Sequence, residues 1–105
     1  RVAAIAMGQL GSHADVPALV KAASDGSSFV REATATSLAR VGGNAAVDPL
    51  LALSKDEVAQ VRSAAARGLG RVEDPRAQKR RAELAKDPDA LVRDAATEPV
   101  KTNSP

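Results

Sequence analysis

The sequence predicts an all-α fold: an α-solenoid, or α-α superhelix, of stacked antiparallel helix hairpins. Three observations carry that expectation. Of the 105 residues, 23 are alanine and one, Phe29, is aromatic. A β-sandwich or barrel of this length would need many β-branched and aromatic residues in short alternating runs; small residues suit closely packed helices instead. Apolar residues also recur at helical spacing, with Val30, Ala33, Thr34, Ser37, Leu38 and Val41 on one side of a helix and Val61, Ala64, Ala65, Gly68, Leu69 and Val72 repeating the pattern. Finally, the chain matches itself without gaps at an offset of about 31 residues. Met7, Leu38 and Leu69 coincide, as do Leu10, Val41 and Val72, and Val100 extends the first series. Asp25, Asp56 and Asp87 coincide, and so do Val30-Arg31, Val61-Arg62 and Val92-Arg93. Such a period marks a stack of supersecondary units rather than one globular core.

Seven helical segments follow in order, at roughly 1–10, 13–24, 28–41, 44–54, 58–72, 75–86 and 90–97. The third, fifth and seventh carry the Val-Arg pattern, and the first aligns with the stretch that follows it. The others carry Val16-Pro17-Ala18-Leu19 or its equivalents; in 44–54 the buried set is Val47, Leu50, Leu51 and Ser54, with Leu53 at the margin. Gly11-Ser12 and Gly42-Gly43 end helices, Asp74-Pro75 provides an N-cap followed by N1, and Ser27 and Ser28 read as cap residues. Ala33, Ala64, Ala65, Gly68 and Ala95 leave room for close helix approach. The array divides into a partial repeat 1–27, repeats 28–58 and 59–89, and a partial repeat 90–97, which together make residues 1–97; 98–105 form a tail after Pro99 stops the last helix. Arg1 aligns with Glu32 inside a first helix, so the chain reads as a piece of a longer array.

Composition narrows the chemistry. Without cysteine, a disulfide scaffold, thiol catalysis and a Cys-based zinc site are excluded. His13 stands alone, and metal binding needs several converging ligands, so no metal and no cofactor are expected. Asp87-Pro88-Asp89 opens like a calcium loop, but Leu91 and the missing glycine rule that out. The 13 uncharged residues between Arg1 and Asp15 are too few to span a bilayer, and no signal segment opens the chain; a cytoplasmic protein without a membrane contact is expected. Fifteen Lys and Arg nearly balance thirteen Asp and Glu.

Val61-Arg62-Ser63-Ala64-Ala65-Ala66-Arg67-Gly68-Leu69-Gly70 and Val16-Pro17-Ala18-Leu19 resemble the HEAT-like repeat, in the short bacterial form named after phycobilisome lyases. The resemblance spans nearly all of residues 1–97. It implies an α-solenoid whose second helices line a concave face and whose usual role is to hold another macromolecule. The third unit departs from the pattern: Gln78 replaces a Val, and Arg81 stands where Leu19 and Leu50 stand.

Two sets of charged residues are candidates for function. Arg31, Arg62 and Arg93 recur with Asp25, Asp56 and Asp87, and each Arg can reach a joint carboxylate or loop carbonyls and tie one unit to the next; the alternative is an acidic or phosphate ligand laid along the three arginines. Pro75 to Lys86 holds Arg76, Lys79, Arg80, Arg81 and Lys86 against Glu83 alone. With Lys55, the residues Arg76, Lys79, Arg80 and Lys86 make a candidate partner-binding stripe, against the alternative of a solvated face. Glu32, Ser63 and Arg67 mark the opposite, first-helix surface. For Arg81 the expectation is a buried stem whose head snorkels to a carboxylate; rotation to the rim and a recessed anion site are the alternatives.

These features point to a non-catalytic scaffold that binds another protein on its concave face, with self-association through exposed end repeats as a further contact. Polyanion or nucleic-acid binding through the third repeat is the alternative, though no aromatic residue is there to stack on bases. An accessory segment of a bilin-lyase-like or DNA-glycosylase-like enzyme would want aromatic residues around a pigment or base, and Phe29 is the sole one.

Overall fold

A computed structural model describes residues 16–98. The expected helix at 1–10, His13, Val100 and the stop at Pro99 lie outside the described residues. Within them the chain is helical: α1 Val16–Ala22, α2 Ser28–Val41, a 3-10 turn Asn44–Ala46 running into α3 Val47–Leu53, α4 Ala59–Leu69, α5 Pro75–Leu84 and α6 Ala90–Ala96. Strands are absent among the described residues.

The expected boundaries hold to within a few residues except at 44–54. There the first turn is a 3-10 helix, with the Ala46 N–H donating to the Gly43 carbonyl at 3.2 Å. Pro49 explains it: a continuous α-helix from Asn44 would need a Pro49 N–H for the Ala45 carbonyl and would drive the ring into that carbonyl. Gly42 and Gly43 connect α2 to this turn at φ 70° and 77°, a region that side chains with a Cβ rarely occupy.

α2 with α3 and α4 with α5 form the expected hairpins. The most extensive packing, however, runs between successive first helices, α2 on α4 and α4 on α6, and the second helices close the other side. Principal contacts join neighbours only, as a solenoid requires. Leu19, Leu38, Leu50, Leu69 and Leu84 are fully buried, and they fill one continuous core with Val47, Val61 and Val92.

Packing on both flanks buries more of each first helix than a single apolar stripe. Ala35, Ala65 and Ala66 are fully buried although Ala35 and Ala66 lie off the periodic set, and Ser63, expected on the outer surface, is 1% exposed. In α3, Leu53 is a core residue rather than marginal, and Leu51 is half-buried. Gly68 shows how close the elements come: a Cβ there would sit 2.8 Å from Leu50 Cδ2 and 3.3 Å from the Ala39 Cβ.

Candidate functional site

The joints between hairpins repeat one arrangement. Each begins with an aspartate whose Oδ1 accepts the backbone N–H two residues on: Ser27 to Asp25 at 2.8 Å, Val58 to Asp56 at 2.9 Å, Asp89 to Asp87 at 2.9 Å. This is the Asx turn to which a short carboxylate is suited. It takes over a helix-start N–H at the first two joints, where Ser27 and Val58 occupy the cap position without a side-chain cap bond. Ser27 therefore does not cap α2 through its hydroxyl; the Asp25 carboxylate binds its N–H instead. Asp74 and Asp89 do cap, accepting from Arg76 N and Leu91 N at 2.8 Å each.

An arginine six residues on then locks each joint. Arg31, Arg62 and Arg93 donate through Nη1 to the carbonyls of Asp25, Asp56 and Asp87 at 2.9, 2.9 and 2.8 Å. The remaining nitrogens of the first two reach forward. Arg31 grips the Asp56 carboxylate through Nε at 2.7 Å and Nη2 at 3.2 Å, and Arg62 grips Asp87 at 3.0 and 3.2 Å. Each of these two guanidinium groups thus holds the loop behind it by the backbone and the loop ahead by a bidentate carboxylate. Burial alone would push the Asp56 and Asp87 carboxyls up, since both side chains are 10% exposed. Hydrogen bonds from Arg31 or Arg62 and from the backbone N–H outweigh it, so both sit below the usual carboxylate range. The Arg31 guanidinium is correspondingly held above its ordinary value, chiefly by its bond to Asp56.

The candidate partner-binding residues fall into two groups. Arg76 donates to Asp48 on α3 at 2.8 Å and to Asp74 at 3.2 Å. Those bonds hold the Asp74 carboxyl low and the Arg76 guanidinium high. Arg80 turns inward: its Nε donates to the Ser54 hydroxyl at 2.9 Å, its Nη2 to the Ser54 carbonyl at 3.0 Å, and its Nη1 to Glu83 at 3.1 Å. Both arginines brace α5 against α3. Lys55, Lys79 and Lys86 are exposed and make no ion pair among the described residues. Helical spacing puts exposed residues on one side of each second helix: Pro17, Lys21 and Ser24 on α1 and its end, Asp48, Ala52 and Lys55 on α3 and its end, Lys79, Glu83 and Lys86 on α5 and its end.

Arg81 is 7% exposed. Its Nη2 donates to the Glu98 carbonyl, its guanidinium packs on Gly70, and its Nε has no partner. The carboxylate partner expected from the sequence is not there; a backbone carbonyl beyond α6 takes its place. Rotation of the helix to the rim does not occur either, although Ala77 and Leu84 are buried beside it. Lacking a Cβ, Gly70 gives the flat guanidinium room at a position where a side chain would come within 3.3 Å. Arg81→Leu is expected to leave stability unchanged or raise it, since apolar replacements of buried ionic groups are often neutral or stabilising. Urea denaturation checks this; a loss above about 2 kcal/mol would show a buried network that depends on the charge.

Among the described residues no three His, Cys, Asp or Glu side chains converge as a metal site would require, and no helix is long and apolar enough to cross a membrane. Among the same residues, Val20, Phe29 and Leu91 are the exposed large apolar side chains, on three different helices.

Comparison with known families agrees with this fold. The family model described as HEAT repeats matches residues 1–69, and that described as PBS lyase HEAT-like repeat matches residues 61–80. No characterised protein matches the chain.

Proposed function

Because the chain belongs to the HEAT repeat family, we propose that it is a non-catalytic scaffold that holds a partner protein on the face built by α1, α3 and α5. Families of this repeat are commonly protein-interaction scaffolds. The observation that carries the reading is the division of labour among the basic residues. Arg76 and Arg80 are bonded across from α5 to α3, while Lys55, Lys79 and Lys86 are exposed and make no ion pair among the described residues. A rigid surface binds with little ordering cost, and unpaired lysines supply charge complementarity to an acidic partner surface. Arg76 and Arg80 position this face rather than touch the partner.

Nucleic acid is the weaker reading. Three free lysines would give a salt dependence of only about −3 in log K against log salt, well short of strong phosphate binders.

The test uses the immobilised chain as bait in extract from its source. Lys55→Glu/Lys79→Glu/Lys86→Glu is expected to lose a protein partner that the wild type and the first-helix control Gln60→Lys/Asp94→Lys retain. Retention by the triple variant with loss by the control would place binding on the first helices instead.

A further inference from the structure

The outer side of the first helices holds a second feature. A cleft of about 250 Å³ lies between α2 and α4, on the side formed by the first helices. Its floor is small and apolar, with Ala39 and Ala64; its walls carry Arg40, Arg67 and Arg71 against one carboxylate, Glu32. Arg40 and Arg71 stand at matching positions near the C-terminal ends of α2 and α4. Both are exposed, and neither side chain makes a hydrogen bond or ion pair among the described residues. Arg67 is already engaged, through Nε to Glu98 at 3.0 Å and Nη1 to the Ser63 hydroxyl at 3.3 Å.

We propose that this cleft is a second binding site, for an extended acidic peptide segment of a partner protein whose carboxylates are held by Arg40 and Arg71. The site is distinct from the lysine face and does not depend on it. Size sets the first limit. The volume is below the roughly 300–1,000 Å³ of cofactor and drug-sized pockets, so the cleft admits side chains rather than a nucleotide cofactor. Charge sets the second: two free guanidinium forks favour carboxylates, which they hold bidentately. Glu32 sets the third. It lies eight residues before Arg40 on the same helix, about 12 Å away along the axis, and makes that end of the cleft repel anions. A uniform polyphosphate would meet Glu32 unfavourably, and no aromatic residue lines the cleft to stack a base. An extended peptide rises about 3.3 Å per residue. The best occupant therefore carries acidic residues toward Arg40 and Arg71 and a basic residue about four positions away, toward Glu32.

The test measures fluorescence anisotropy of a labelled peptide, Lys-Gly-Gly-Gly-Glu-Glu, with the whole 105-residue chain. Binding is expected to weaken at least tenfold for Arg40→Gln/Arg71→Gln and by less than twofold for Lys55→Glu/Lys79→Glu/Lys86→Glu. The reversed peptide charge pattern, Glu-Gly-Gly-Gly-Lys-Lys, is expected not to bind. On the wild type, backbone amide shifts on adding the first peptide should centre on Ala39 and Ala64 rather than on Ala52 and Lys79. No binding by the wild type, equal binding by the arginine variant, or shifts centred on the lysine face would each overturn the proposal. So would displacement of the peptide by millimolar inorganic phosphate, which would reveal a general anion site.

Discussion

Replacing Leu50 by alanine is expected to destabilise the fold by about 2–5 kcal/mol, through lost transfer free energy and the cavity left behind. Leu50 is fully buried, and its methyl groups fill the space that Gly68 leaves open on α4. The cavity cannot close readily, because the opposing position has no side chain to move into it. Total stability of a small domain is about 5–15 kcal/mol, so a loss of this size is a large part of it. Urea denaturation measures this directly. A loss under about 1 kcal/mol would mean that α3 can shift onto α4 and that the hairpins are not rigidly stacked.

Asp56→Ala is the second large effect, expected to cost about 1–3 kcal/mol by leaving the Arg31 fork and the Val58 N–H without their acceptor. The same carboxylates make stability depend on pH. Asp56 and Asp87 have folded values depressed below the ordinary carboxylate value near about 4. Their contribution is therefore present above that value and is lost as pH falls from there through the folded values. Thermal unfolding should show a constant Tm contribution from these groups near neutral pH and a decline below about pH 4. In Asp56→Asn the decline should be shallower. An unchanged acid profile in the asparagine variant would contradict a role for the Arg31 bond in holding the joint.

How much of this was legible in the sequence follows from the range of each interaction. Helix periodicity is local, so the positions of Leu19, Leu38, Leu50 and Leu69 in the core could be read from spacing alone. The same holds for the recurrence of Arg31, Arg62 and Arg93 with an aspartate. Which aspartate each arginine reaches could not be read so simply. The carbonyl comes from the joint six residues behind, and the carboxylate from the joint 25 residues ahead, across a whole hairpin. Two-sided burial escaped the periodic pattern because Ala35, Ala66 and Ser63 are covered by more than one neighbouring helix, and a single apolar stripe describes packing against one. Arg81 escaped it because its partner is a backbone carbonyl, and every residue offers one. The cleft above Ala39 and Ala64 depends on the spacing of two helices and the direction of exposed side chains, neither of which a helical wheel encodes.

Above all, this chain is a stack held unit to unit, in which each helix is as stable as its neighbours make it. α4 packs against α2, α3, α5 and α6, whereas α6 packs mainly against α4 and α5. Native-state amide hydrogen exchange resolves the difference helix by helix. The stack predicts slowest exchange in α2 through α4 and markedly faster exchange in α6. Equal protection from α2 to α6, rising and falling together with global stability, would describe a single cooperative bundle and contradict a stack held unit to unit.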